Sequence, residues 1–341
     1  VASTTEAVDL ADHGDRQVPR GAVDLAVNVL PGPPAWLAAG IAEADLAAYP
    51  DPSPGLAAAA GRHGVPTTHC LLTHGAAEAF WLVAQALRPR LAACVHPSFT
   101  APEAALRGAG IEVVRVSRRP EEDFRLDPDA VPDAADLVVL GRPDNPTGRH
   151  EAADTIAGLT RPGRTVLVDE SFADFLPEPT DAEGLAGLDL PGVLCLRSLT
   201  KLWGLAGLRV GYILGYPAVL ARLDAVRQPW PVSSPAIRAV VLASSAEAER
   251  RQRAEAVALD RQDMLAGLSR LPLQVWASPA NFLLLRGPRP DLRQQLLARG
   301  LAVRRCETFP GLDARYVRTA VVPDATVRRR VLHSLQQVLA V

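Results

Sequence analysis

The chain has 341 residues, 48% hydrophobic and 22% charged, with a formal net charge of −2 at pH 7. That balance belongs to a globular protein of about two domains, and it provides no net field toward nucleic acid or an anionic membrane surface. Gly and Pro, at 25 and 30 residues, stay below the roughly 25–30% at which unpatterned chains read as disordered, so the expected partner is a small molecule. Residues 1–40, rich in Pro and Gly around Pro31-Gly32-Pro33-Pro34, read as an arm that packs on one of the lobes. Asp9, Asp12, Asp15 and Asp24 interrupt any apolar run there, and no later run reaches the roughly 18 apolar residues of a membrane span, so neither a signal peptide nor a membrane anchor is expected. From about residue 68 to 215 apolar runs alternate with helical patterns, the signature of an α/β domain with a mainly parallel, mixed sheet flanked by helices, and residues 41–228 read as that larger domain. Strands are predicted at Leu91–Val95, Ile111–Val116, Leu137–Leu140, Thr165–Val168, Val193–Leu196 and Leu208–Leu214, with helices at Ala76–Leu87, Pro102–Gly108 and Ala152–Leu159 between them. After Pro229 and Pro231 the pattern changes to one long helix over about 235–268. A strand at Phe282–Leu285, a helix at Leu292–Arg299, strands at Leu301–Arg304 and Tyr316–Ala320 and a last helix follow, so residues 229–341 read as a smaller α+β domain. Cys70, Cys94, Cys195 and Cys306 show neither metal-ligand nor redox spacing and fit a reducing, cytoplasmic location.

Among 36 basic residues only one, Lys201, is a lysine. An ammonium can lose its proton and act as a nucleophilic amine, whereas a guanidinium cannot near neutral pH, so a chain that uses Arg for charge keeps Lys where an amine is needed. In doubly wound sheets ligands sit beyond the carboxyl ends of the strands. The segments at those ends carry Asn145 in Asn-Pro-Thr-Gly, Asp169 in Asp-Glu-Ser-Phe, and Ser198, Thr200, Lys201 and Arg209 in the stretch 198–211. A helix cap would account for Asp169 alone, and a turn for Asn145-Pro146, but the set in this order matches the needs of pyridoxal 5'-phosphate: an amine for its aldehyde, a carboxylate for its ring nitrogen, and donors for its phosphate and ring oxygen. No Gly-x-Gly-x-x-Gly follows a predicted strand, which argues against a dinucleotide.

On these motifs the chain resembles the fold-type I pyridoxal-phosphate enzymes, in the class I/II aminotransferase group that includes histidinol-phosphate aminotransferase. The resemblance spans nearly the whole chain. It implies that Lys201 bonds the cofactor's aldehyde carbon, Asp169 pairs with the pyridine nitrogen, Asn145 donates to the ring oxygen, and Ser198, Thr200 and Arg209 hold the phosphate. Gly75, Ala76 and Ala77, in Thr-His-Gly-Ala-Ala-Glu, look like the helix entry where free N–H groups meet that phosphate. Phe99 falls where the family stacks an aromatic ring on the cofactor. Tyr49 resembles the tyrosine that reaches the neighbouring subunit's cofactor, so a homodimer is expected.

Within the group, Phe172 stands where aminotransferases usually carry a tyrosine. The segment 169–178 and the arm, with His13-Gly14-Asp15 and Asp24-Leu-Ala-Val-Asn28-Val-Leu-Pro-Gly32-Pro-Pro, look more like the threonine-phosphate decarboxylases of cobalamin synthesis, although Asp15, Leu25 and Ala26 depart from their pattern. The resemblance then places Asn28, Gly32, Arg304 and Arg318 at a small phosphorylated amino-acid substrate. Two arginines suit two anionic groups, because the planar fork binds carboxylate or phosphate bidentately. The leading expectation is decarboxylation of O-phospho-L-threonine or phosphoserine to an amino-alcohol phosphate, and the alternative is an aminotransferase of histidinol-phosphate type. A third reading, a scaffold that keeps the fold without the chemistry, is disfavoured by the intact Lys201, Asp169 and Asn145.

Overall fold

The computed structural model describes residues 10, 18–176, 185 and 191–340. The arm's His13-Gly14-Asp15 and the positions Pro177 and Glu178 lie outside the described residues. Twelve strands are described: β1 (Val23–Leu25), β2 (Cys70–Thr73), β3 (Leu91–His96), β4 (Glu112–Ser117), β5 (Leu137–Gly141), β6 (Thr165–Asp169), β7 (Val193–Ser198), β8 (Gly211–Leu214), β9 (Gln274–Ala277), β10 (Phe282–Arg286), β11 (Leu301–Arg305) and β12 (Tyr316–Ala320). They form a seven-stranded sheet of order β2-β8-β7-β6-β5-β3-β4 and a five-stranded sheet of order β1-β11-β12-β10-β9. In the larger sheet β8 alone runs antiparallel to its neighbours.

The continuous apolar runs of β5, β6 and β7 follow from burial on both faces, as helix crossovers require. Val138, Leu140, Val166 and Val168 face one core, and Val139, Leu167, Leu194 and Leu196 face the other. The smaller sheet packs Leu283, Leu285, Val303 and Val317 against Met264, Leu268, Val331 and Leu335 from two helices. The arm contributes β1, which pairs in parallel with β11 and sends Leu25 into that third core.

Three expectations change. The long helix over 235–268 is two helices, Ser234–Ser244 and Glu247–Leu268, because Ala246 leaves helical geometry and the Ser245 hydroxyl bonds back to the Val241 carbonyl. The first of the two buries Ala236, Val240 and Ala243 with Leu37, Ala59 and Leu72, so the main core continues past residue 229. The strand expected at Leu208–Leu214 begins only at Gly211, since residues 206–208 form a 3-10 turn and Arg209 is left-handed at φ 55°. Strands β1, β2 and β9 and the helices Ala35–Ala42, Ser53–Arg62 and Pro217–Asp224 went unread in the sequence because they are short or lack clear periodicity. Among the described residues no helix is long and apolar enough to cross a membrane.

Candidate active site

Parallel pairing brings the carboxyl ends of β5, β6 and β7 level, with Gly141 opposite Asp169 and Asp169 opposite Leu196. The loops that leave these ends line a cleft with a cavity of about 120 Å³. Of the residues expected there, Ala76, Ala77, Phe99, Asn145, Asp169, Phe172, Ser198, Thr200, Lys201 and Arg209 line it. Ser98, Gly141, Pro143, Asp144 and Ser171 line it as well. Sequence reasoning assigned these five no role, although each adjoins a motif residue.

One end of the cleft is built to hold an anion. Helix Gly75–Leu87 opens there, its first N–H groups having no partner within the helix. Ser198 Oγ lies 2.8 Å from Thr200 Oγ1, and the left-handed turn at Arg209 swings its guanidinium back over Gly75. A Cβ at Gly75 would come within 2.7 Å of Arg209 Nη2, and its φ of +73° disfavours any side chain, so only glycine lets cation and helix end meet.

The other end presents a carboxylate. Burial pushes the Asp169 carboxyl above its ordinary value, Ser171 and Lys201 pull it down, and nearby Asp144 raises it further. Asp169 Oδ1 accepts from both the N–H and the hydroxyl of Ser171, so the second oxygen is the one left to face a ligand. A half-buried carboxylate of this kind is best stabilised by a cation delivered into the cleft, which a protonated pyridine nitrogen is. Lys201 is half-buried with Nζ 5.5 Å from the centre of the Phe172 ring. Its backbone carbonyl accepts from Leu30 N at 3.0 Å, and Gly32 abuts Gly204, so the arm closes over the lysine loop.

Asn145 is presented by a turn built around Asp144, whose carboxylate accepts from Ser98, Thr147 and Arg118, the last at 2.7 Å. Asn145 Oδ1 accepts from Arg318 Nη1, which leaves the donor end of the amide for a ring oxygen. Arg318 also donates to the Ala26 carbonyl. It stands opposite Arg304 across the β11–β12 pair, and Arg304 donates to Thr308 at 2.9 Å. Burial lowers the Arg318 guanidinium to about 10, and neighbouring Arg304 adds to the effect. Asn28, within the arm, is buried with its amide nitrogen lacking a hydrogen-bond partner. Tyr49 stands apart from the cleft, exposed and stacked on Trp230 with ring centres 4.2 Å apart.

An anion cradle, a half-buried carboxylate, a ring-oxygen donor and a lone amine in one cleft fit pyridoxal 5'-phosphate. Comparison with known proteins agrees. The family model for aminotransferase class I and II matches residues 22–334. A histidinol-phosphate aminotransferase of Mycobacterium bovis is 45% identical over 322 residues, 92% of this chain and 87% of that protein. A threonine-phosphate decarboxylase of Salmonella typhimurium is 33% identical over 294 residues, 83% of this chain and 80% of its own length. The crystal structure of the Sinorhizobium meliloti histidinol-phosphate aminotransferase, in complex with pyridoxal 5'-phosphate, superposes with a TM-score of 0.83 at 22% identity, covering 94% of this chain and 91% of that one. The cofactor of this protein is therefore pyridoxal 5'-phosphate, and the chain belongs to the class I and II aminotransferase family.

Proposed function

We propose that the protein is an aminotransferase of histidinol-phosphate type, transferring the amino group of a small phosphorylated substrate to a 2-oxo acid. The observation that carries this reading is the 45% identity to the Mycobacterium bovis aminotransferase across 92% of the chain. It reverses the order expected from the sequence, where decarboxylation came first. The facing Arg304 and Arg318, buried where the arm and the smaller sheet meet the cleft, suit both halves of such a reaction, the single phosphate of the amino donor and the two carboxylates of a 2-oxo diacid. Decarboxylation stays as the second reading on one specific observation: Phe172 puts a ring without a hydroxyl beside Lys201, and the Salmonella typhimurium decarboxylase is 33% identical.

When bound, the cofactor supplies a cationic ring that accepts the electron pair released at the substrate's α-carbon. Asp169 keeps the proton on the ring nitrogen through charge and hydrogen bonding. Lys201 would hold the cofactor's aldehyde carbon through its amine, and Nζ, the one lysine amine of the chain, would move the proton at the substrate's α-carbon. Arg318, braced by Asn145 and the Ala26 carbonyl, binds an anionic end of the substrate and so selects which α-carbon bond breaks. The test is a pair of assays on the purified holoenzyme. The expected result is glutamate formation from histidinol phosphate plus 2-oxoglutarate, without CO₂ release from O-phospho-L-threonine; the opposite pattern assigns decarboxylation.

The expected homodimer belongs to the same proposal. Tyr49, Trp230 and Leu46 are 77%, 56% and 80% exposed on one chain, an expensive display of apolar surface for a monomer. Sedimentation of the holoenzyme at micromolar concentration is expected to give twice the chain mass, and a persistent monomer would remove Tyr49 from any role at a cofactor.

A further inference from the structure

His96, Gly141 and Asp169 stand in one row across the large sheet. Cys94 pairs with Val139, so two residues further along both strands His96 comes opposite Gly141, and Gly141 pairs with Asp169. Strand alternation sends all three toward the face of Val139 and Leu167. Asp144 packs against the central member, where a Cβ would come within 2.9 Å of the Asp144 Cα, and beside that contact a small gap remains between the imidazole and the carboxylate expected at the cofactor's ring nitrogen. Cys94, His96, Glu103, Phe99, Gly141 and Asp169 line this gap, which leaves about 10 Å³ for the centre of a water-sized sphere. That is room for one water molecule.

The polar groups around the gap are incomplete without one. His96 is 2% exposed, and its Nδ1 has no hydrogen-bond partner. Its Nε2 lies 2.8 Å from Glu103 Oε2. Burial would raise the Glu103 carboxyl, but bonds from His96, Arg115 and Arg107 hold it down at about 2. Glu103 is therefore an acceptor for the Nε2 proton, which leaves Nδ1 as the buried ring atom without a partner. Asp169 Oδ1 is occupied by Ser171, which leaves Oδ2. A water in the gap can bridge His96 Nδ1 and Asp169 Oδ2, completing a buried nitrogen that has no protein partner and handing a hydrogen to the carboxylate.

We propose that His96 is a positioning residue for Asp169, acting through a single water held in the gap between the two side chains and thereby fixing the carboxylate that meets the cofactor's ring nitrogen. An Asn side chain reproduces Nδ1, and a Gln side chain reproduces Nε2, so His96→Asn and His96→Gln separate the two edges of the ring. The readout is the dissociation constant of pyridoxal 5'-phosphate from the apoprotein, measured by absorbance titration. The same titration is repeated with the analogue whose ring nitrogen is replaced by carbon. His96→Gln is expected to weaken the natural cofactor about 10-fold and His96→Asn by less than about 3-fold, with neither changing the analogue's affinity. Equal weakening on both ligands, no weakening in His96→Gln, or a larger loss in His96→Asn overturns the proposal. Should the variants not fold, a crystal structure of the unaltered holoenzyme decides. A water within hydrogen-bond reach of His96 Nδ1 and Asp169 Oδ2 upholds it, and an empty gap overturns it.

Discussion

Lys201→Arg is expected to abolish covalent attachment of pyridoxal phosphate and to lower turnover by at least about 10⁴-fold, while leaving the fold and the cation in place. The substitution is sharper than Lys201→Ala because it keeps a positive charge near Asp169 and beside the Phe172 ring and removes only what guanidinium lacks near neutral pH: a neutral amine that can bond a carbonyl carbon and exchange a proton. The lone lysine makes the measurement clean. Borohydride reduction of the holoenzyme followed by peptide mass spectrometry should give one cofactor adduct on a lysine, at position 201, and none in the variant. The variant should still take up pyridoxal phosphate without a covalent bond, since the helix entry at Gly75, Ser198, Thr200 and Arg209 are untouched. A variant that keeps more than about a hundredth of wild-type turnover would show that another group moves the α-proton.

The legible part of the site was the part whose chemistry admits few residue types. An amine, a carboxylate and an amide had to follow successive strands, and the sequence carries Lys201, Asp169 and Asn145 at those points. The larger sheet was legible for a related reason, because strands buried on both faces write themselves as unbroken apolar runs such as 137–140. What could not be read depends on contacts remote in sequence. Arg318 reaches Asn145 across 173 positions, and nothing local in Tyr-Val-Arg announces that partner. The break between the helices Ser234–Ser244 and Glu247–Leu268 hid because two serines alone do not stop an otherwise helical pattern. Gly141 gave no signal either: its lack of a side chain matters only once Asp144 is known to pack against it.

Asp174→Ala is expected to destabilise the protein by about 3–5 kcal/mol, more than any surface change, because it strips the buried Arg62 of its carboxylate and leaves the buried Arg197 with only Glu170. Arg62 Nη2 and Arg197 Nη2 each lie 2.8 Å from Asp174 Oδ1, with side chains 9% and 2% exposed. Arg197 also bonds Glu170, which bonds Arg142 at 2.9 Å, so a chain of alternating charge runs beneath the cleft from helix Ser53–Arg62 to β5. Burial alone would raise the Asp174 carboxyl, but Arg62 and Arg197 hold it well below the usual carboxylate range. A folded-state pKa below the unfolded one means that the contribution is fully present above the unfolded value and is lost as pH falls toward the folded one. The gap in urea midpoint between wild type and variant should therefore be constant from about pH 8 to pH 5 and narrow below about pH 4. Glu170 follows Asp169 directly, and Arg197 precedes Ser198, so the same charge chain steadies the backbone on both sides of the cofactor's ring and phosphate ends. Asp174→Ala should accordingly weaken cofactor binding even at temperatures where it stays folded. Adding Arg62→Leu and Arg197→Met to Asp174→Leu should recover most of the lost stability, since an apolar set of similar volume leaves only the mutually paired Glu170 and Arg142 to desolvate. Recovery of stability without recovery of cofactor affinity would assign the chain's retention to the site rather than to the core.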